Sequence, residues 1–180
     1  MVTVSHDHAG HKNATNVPGN PQIIRKPGIT EVNGTVIKIF PCYHDKYSGK
    51  QRGINVIFCL IVYGISICHL GDLGHTLTNK QAVSLGEIDV LLIPLGGYST
   101  IDGEIASAIC DEVRPREAVP MHYRTSECGF PLALVEDFLC GRSDAVMTNK
   151  CEVTLKASDL PEQQNWVVSP ALGRLQNRSV

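Results

Sequence analysis

Three histidines near the N-terminus are the residues in this chain best suited to chemistry. His6, His8 and His11 follow a short apolar run at residues 1–4. On an extended segment, a spacing of two residues places the side chains of His6 and His8 on the same side, and Gly10 permits a turn before His11. Imidazoles that converge at a strand end suit a borderline metal such as zinc. A solvated histidine run or a tag remnant is the alternative interpretation.

Further potential metal ligands follow other predicted strands. They are His44 after residues 35–40, Asp72 after residues 65–68, and His122 after residues 117–120. Loops at strand ends commonly carry function. When the first three histidines are counted as one group, potential metal ligands follow four predicted strands of this chain. This indicates a site built on the ends of a sheet.

Strands alternate with helices along the chain. The continuous apolar run at 87–94 predicts a strand that is covered on both faces. Thr100 is a good N-cap for a helix whose apolar positions reach Val113. The other predicted elements are strands at 22–25, 55–63 and 151–156 and helices at 79–85 and 131–140. This alternation predicts an α/β fold or a layered α-β sandwich, with one domain over residues 1–160 and a polar C-terminal tail over 161–180.

The composition is that of a globular protein and excludes some partners. Hydrophobic residues make up 43% and charged residues 19% of the 180 residues, which is ordinary for one domain with a core. The 16 basic and 18 acidic residues give a net charge of -2 without a basic block, so general electrostatic binding of nucleic acid is not expected. The longest apolar stretch, residues 56–69, is broken by Gly64 and Ser66 and is too short to span a bilayer.

The cysteines indicate a reducing compartment. Their number, seven, is odd, and no pair has CxxC spacing. No charged-then-apolar leader opens the sequence, so we expect reduced thiols and a cytoplasmic location. Cys59, Cys68 and Cys110 lie in apolar runs and are predicted to be small core residues.

The candidate ligands resemble the motifs of the metallo-β-lactamase superfamily, in particular its zinc-dependent hydrolase branch that includes ascorbate-6-phosphate lactonase-like proteins. Residues 6–11 are similar to the family's first motif, His-x-His-x-Asp-His. The segments around His44, Asp72 and His122 resemble its later motifs, and residues 89–102 are also typical of this branch. The resemblance covers residues 1 to about 140 and implies a partial αββα sandwich.

The resemblance also implies a site with one or two ions of zinc, or alternatively of manganese or iron. The ligands that it implies are His6, His8 and His44 for one ion and His11, Asp72 and His122 for the second, with Asp72 reaching both. Asp72 and His122 are thereby the implied catalytic residues. A metal-activated water would attack an ester, lactone, amide or phosphodiester bond of a small-molecule substrate.

The sequence departs from the family pattern at two points. Gly10 stands where the first motif has an aspartate, which predicts weaker binding of a second metal. In the family several strands normally precede this motif, whereas only residues 1–5 precede it here, which predicts an exposed sheet edge and an exposed apolar face. A truncated chain, a partner chain such as a second copy, or a degraded paralogue would each account for that edge. The alternative function is therefore a metal-binding pseudoenzyme or interaction subunit.

Other polar residues near the predicted ligands have two interpretations each. His69 and His75 are pocket-wall groups or purely structural ones. Asp45 either hydrogen-bonds a histidine or the loop backbone, or is solvated. Arg52 and Arg124 either bind an anionic substrate or are solvated surface side chains.

Overall fold

The two longest strands of the fold are rich in β-branched and apolar residues and pair with each other in antiparallel fashion. The computed structural model describes residues 1–9, 11–126, 128–140, 143–148, 152–162 and 164–168. The strands are β1 (Val2–Thr3), β2 (Ile23–Ile24), β3 (Gly28–Val32), β4 (Thr35–Tyr43), β5 (Ile54–Val62), β6 (Ile65–His69), β7 (Val90–Pro94), β8 (Glu117–Met121), β9 (Ala145–Met147) and β10 (Asn165–Val168). The helices are α1 (Asn79–Leu85), α2 (Gly103–Val113) and α3 (Val135–Leu139), with short 3-10 turns at Asn13–Asn16 and Ala157–Asp159.

Eight of these strands form one mixed sheet. Its order is β3-β4-β5-β6-β7-β8-β10-β9, and β1 and β2 form a separate parallel pair. Strands β3 to β6 are antiparallel neighbours, whereas β6 to β8 and the pairs that follow are parallel. Because β4, β6, β7 and β8 run in the same direction, their carboxyl ends meet at one edge of the sheet. The predicted layered α/β fold is confirmed.

Apolar side chains are buried on both faces of the sheet, as expected for the strand at 87–94, although Ile54 and Ile61 of β5 are exposed. One core contains the inward side chains of α1 and α2, such as Leu85 and Ile109, packed on Ile57 and Leu91 of the sheet. A second core on β4 and β5 contains Ile37, Ile39, Val56 and Phe58 together with Ile24 of β2. Alternate residues of β5 therefore enter different cores, which is why this strand reads as continuously apolar. Each such fully buried side chain stabilises the fold by about 1.5–3 kcal/mol.

The start of α2 differs from the predicted one. Its N-cap is Asp102, whose carboxylate accepts a hydrogen bond from the Ile105 N–H at 2.9 Å. Thr100 is buried, and its hydroxyl donates to the Ile101 carbonyl instead. The prediction of Thr100 as the N-cap was wrong. Both Thr100 and Asp102 are favourable N-cap residues, and the turn before the helix decides between them.

The third helix is shorter than predicted. Only Val135–Leu139 is helical, whereas the backbone of the segment before it forms hydrogen bonds with other loops. The N–H of Ala133 donates to the Gly96 carbonyl, and the Ala133 carbonyl accepts from Arg124. These bonds hold residues 131–134 beside the loop after β7.

The C-terminal part of the sheet was predicted in the wrong place. Residues 152–156 are not a strand, and Cys151 lies outside the described residues. Strands β9 and β10 complete the sheet instead, so the sheet extends past residue 160, where the polar tail was expected to begin. Trp166 of β10 is fully buried and packs against Phe138 at a ring distance of 4.9 Å, because a large aromatic surface is most stable inside the core.

Within the described ranges, no helix has both the length and the apolar character needed to cross a membrane.

Candidate metal centre

The first histidine of the cluster is fixed by the segment that follows β1. This segment lies between β2 and β5, because Val4 N–H donates to the Ile24 carbonyl and Val56 N–H donates to the Ser5 carbonyl. His6 Nδ1 lies 2.9 Å from the Ser5 hydroxyl oxygen. The other ring nitrogen, Nε2, is buried and has no hydrogen-bond partner among the described residues. A buried nitrogen that is left without a partner fits a metal ligand.

One carboxylate oxygen is surrounded by four imidazoles. The distances from Asp72 Oδ2 to the Nε2 atoms are 3.3 Å for His44, 3.4 Å for His122, 3.5 Å for His6 and 3.9 Å for His11. His8 completes the cluster, with its ring centroid 4.8 Å from the rings of both His6 and His44. The structure therefore brings together all six ligands that the sequence predicted.

Two groups within this cluster have the ligand spacing of a metal site. His6, His8 and His44 form one group, and His6, His11 and Asp72 form the other, with ligand atoms within 4.8 Å of one another. His6 belongs to both groups, whereas the resemblance places it on one ion alone. Gly10, where the motif has its aspartate, lies outside the described residues.

The ends of three parallel strands bring the later ligands together. His44 directly follows β4, His122 directly follows β8, and Asp72 lies three residues after β6. His122 has a φ of 56°, a left-handed conformation that residues other than glycine seldom adopt. Such strain is often found at functional sites, where the surrounding structure enforces it.

The pKa shifts of His6 and His8 favour their neutral forms and that of Asp72 favours the charged carboxylate, whereas His122 shifts in the opposite direction. Burial lowers the pKa of His6 to about 4, which outweighs the opposite effect of Asp72. Burial also lowers the pKa of His8. Burial alone would raise the pKa of Asp72, but hydrogen bonds from His122 and His44 hold it well below its usual range. The hydrogen bond to Asp72 raises the pKa of His122.

A buried asparagine holds the loop that carries Asp72. Asn55 of β5 is fully buried, and its Oδ1 accepts from the Asp72 N–H at 3.1 Å while its Nδ2 donates to the Leu70 carbonyl at 2.8 Å. Gly71, between these two residues, has a φ of 59°, and a Cβ there would overlap the Asn55 side chain. The sequence analysis missed Asn55, although a single amide in an otherwise apolar strand was the available signal.

Replacing Asn55 by leucine is expected to weaken zinc binding by about 10- to 100-fold, the usual cost of losing a partner that orients a ligand. Leucine keeps the volume but leaves the Asp72 N–H and the Leu70 carbonyl unpaired in the core. Competition with a chromophoric chelator measures the affinity, and circular dichroism checks the fold. Asn79→Leu, at an exposed position in α1, is the control. An unchanged affinity in Asn55→Leu would show that the loop is held without the amide.

The loop after His44 is organised around Asp45. Its carboxylate accepts four backbone hydrogen bonds, from the N–H groups of Tyr47, Gly49, Gln51 and Arg52 at 2.7–3.0 Å. Burial would raise the pKa of Asp45, but these four donors together lower it to about 2. The interpretation of Asp45 as a backbone-bonding residue is confirmed, and this contact fixes the backbone of Arg52.

The two remaining histidines near Asp72 bond to the backbone. His75 Nε2 accepts from the Tyr43 N–H at 3.2 Å, and its Nδ1 lies 2.6 Å from the Thr76 carbonyl. His69 Nδ1 accepts from the Gly71 N–H at 2.9 Å. These contacts support a structural role for both, because they hold the segments that carry His44 and Asp72.

Gly74 allows the Asp72 loop to pass close to His44. A Cβ at this position would overlap the backbone of His44 and Asp45. We expect Gly74→Ala to lower the free energy of unfolding by about 1–3 kcal/mol, because neither backbone can move away freely. Urea denaturation measures the effect against Gly129→Ala, where a Cβ would meet no described atom within 4 Å. Equal stability of the two variants would contradict the prediction.

The fold and the cluster together define an α/β domain with a candidate metal centre at the ends of its strands. A family model described as the beta-lactamase superfamily domain matches residues 1–122. The chain belongs to the metallo-β-lactamase superfamily.

Individual relatives agree with this assignment. A UPF0173 metal-dependent hydrolase of Thermococcus onnurineus is 35% identical over 115 residues, which are 61% of this chain and 50% of the relative. Another from Pyrococcus abyssi is 36% identical over 101 residues, 54% of this chain and 44% of the relative. The chain thus spans about half the length of the curated relatives it matches.

A solved structure from Thermotoga maritima, of a candidate Zn-dependent hydrolase of this superfamily, is also similar. It is 38% identical, with a TM-score of 0.75 over 93% of this chain and 79% of that chain.

Proposed function

We propose that this chain is a metal-dependent hydrolase of the metallo-β-lactamase type. The observation that carries the proposal is the convergence of four imidazole Nε2 atoms on the Asp72 carboxylate, within 3.3–3.9 Å. Such a cluster fits a cation, since the buried His6 Nε2 is otherwise without a partner and neutral imidazoles with one carboxylate leave a bound ion Lewis acidic. The names of the relatives from Thermococcus and Pyrococcus support the same reaction class.

The residues of the cluster have distinct roles in this proposal. One ion would be held by His6, His8 and His44, and a second by His11, Asp72 and His122. Asp72 would reach both ions, and Asp72 and His122 are the residues that we assign to catalysis. Ions bound there would supply Lewis acidity that activates water and polarises the substrate. The chain itself orients His6 through Ser5 and orients Asp72 through Asn55.

Zinc is the ion that we assign to the site. Imidazole nitrogens with a carboxylate suit zinc, while manganese and iron accept similar ligands. The substrate that we assign is a small molecule with an ester, lactone, amide or phosphodiester bond. Elemental analysis of purified protein identifies the ion, and a substrate panel identifies the bond.

The test of the proposal combines metal content with turnover. We expect at least one ion per chain and hydrolysis of at least one lactone, phosphodiester or thioester. The activity should be lost with a chelator and regained with zinc. The absence of a bound ion would refute the proposal. Bound metal without turnover of any substrate would instead favour a metal-binding pseudoenzyme or interaction subunit, the alternative that Gly10 suggests.

The compartment and the assembly state complete the proposal. Five of the described cysteines are free thiols, which supports a reducing, cytoplasmic location; they are Cys42, Cys59, Cys68, Cys128 and Cys140. Strand β3 lies at one edge of the sheet and exposes Ile29, which supports a homo-oligomer that covers this edge. Sedimentation of the purified protein tests the assembly, and a monomer at all concentrations would exclude it.

A further inference from the structure

A cavity of about 580 Å³ opens beside the histidine cluster. His6 and His8 form part of its wall, and three basic side chains, Arg25, Lys26 and Arg52, also line it. Two of the six proposed metal ligands therefore share one cavity with a group of basic side chains. A substrate that reaches the metal centre through this cavity contacts both.

The charges in this cavity are not balanced. Among the described residues that line it, Asp7 is the only acidic one, and its carboxylate pairs with Arg25 at 3.3 Å. In the part of the chain that the structure describes, no acidic group forms an ion pair with Lys26 or Arg52. Three basic groups against one carboxylate leave an excess of two positive charges, even before a metal ion is bound. Such a cavity attracts anions.

Arg52 is held in place rather than extended freely into solvent. Its backbone N–H donates to Asp45 Oδ2 at 2.7 Å. Its guanidinium lies over the ring of Tyr98, with Cζ 5.6 Å from the ring centroid, a favourable cation–π contact. Arg52 is half-buried as a result. A fixed guanidinium without an acidic partner is suited to an oxyanion, which it binds through paired hydrogen bonds.

We propose that Arg52 and Lys26 bind an oxyanion of the substrate next to the metal centre. The substrate class is then a small phosphate ester or carboxylate rather than a neutral ester. Arg25 contributes less, because Asp7 already neutralises it. The statement that the bound anion belongs to a substrate rests on the proposed function, but the anion-binding site can be tested without turnover.

The test is isothermal titration of the purified protein, first without and then with added zinc, with three probes that share a phenyl ring: phenylphosphonate, benzoate and benzyl alcohol. We expect Arg52→Gln to weaken binding of the anions by about 10- to 100-fold, the value of a charge-assisted hydrogen bond, and Lys26→Gln by about 2- to 10-fold. Lys38→Gln, which removes the same charge from an exposed position of β4 outside the cavity, should bind like the wild type. The anion that binds more tightly distinguishes phosphate from carboxylate.

Two results would overturn the inference. Wild-type affinity of Arg52→Gln and Lys26→Gln for both anions would show that these groups do not bind them. An equal loss for benzyl alcohol would show that Arg52 acts through shape and not through charge. If the wild type lacks metal and turnover, the proposed function fails, whereas an anion affinity that depends on Arg52 still supports this site.

Discussion

The variant Asp72→Asn is expected to lose its bound metal, with an affinity more than about 100-fold below that of the wild type. This exceeds the loss that follows when only an orienting partner is removed. Asp72 is the one carboxylate that the described imidazoles of the cluster surround. Asparagine keeps the size of the side chain but removes the charge. It also offers a much weaker oxygen ligand, so an ion among the histidines loses its only anionic partner.

Elemental analysis after dialysis and a zinc titration against a chromophoric chelator measure this loss. The wild type should also gain thermal stability when zinc is added, because an ion that binds only the folded state stabilises it, and the variant should not. Asp111→Asn makes the same change at an exposed position of α2 and should retain metal. Full occupancy in Asp72→Asn would mean that the ion does not depend on this carboxylate.

The candidate site was accessible from the sequence because its ligands follow strand ends. His44, Asp72 and His122 lie in distant parts of the chain, yet each follows the carboxyl end of a strand. Because these strands are parallel, their carboxyl ends meet at the same end of the sheet. A strand pattern followed by a polar ligand therefore predicts proximity in space. The partner Asn55 was not accessible in this way, because its role depends on which loop crosses it, and that is a property of tertiary packing.

The errors in the fold have a similar cause. Thr100 and Asp102 are both favourable N-cap residues, and the path of the preceding loop places Asp102 at the helix start. The segment before α3 has helical character by pattern but bonds to Gly96. Trp166 sits in a mostly polar stretch, so its strand has no periodic signal, and burial of the indole against Phe138 decides the outcome.

The variant Gly10→Asp is expected to bind a second ion that the wild type holds only weakly. Residues 6–11 resemble the first motif of the metallo-β-lactamase superfamily. That motif has a carboxylate at the position of Gly10, whereas glycine supplies no ligand. Position 10 lies outside the described residues, so this prediction rests on the motif and on the neighbouring cluster. His11 and Asp72, assigned to the second ion, are already close together, with 3.9 Å between Nε2 and Oδ2. An added carboxylate would complete a site that is partly formed.

We expect one ion per chain in the wild type and two in Gly10→Asp, with second-ion affinity increased on the order of 10- to 100-fold, comparable to the other single-partner effects at metal sites. Hydrolysis of the best panel substrate should rise in parallel, because a second Lewis acid adds to the activation of water. Gly129→Asp places the same residue at an exposed position with free space around it and should change neither quantity. Two ions in the wild type, or an unchanged ion count in Gly10→Asp, would show that the second site does not depend on this carboxylate. A second ion without faster hydrolysis would instead place the limit on turnover elsewhere, with substrate binding by Arg52 and Lys26 the next step to measure.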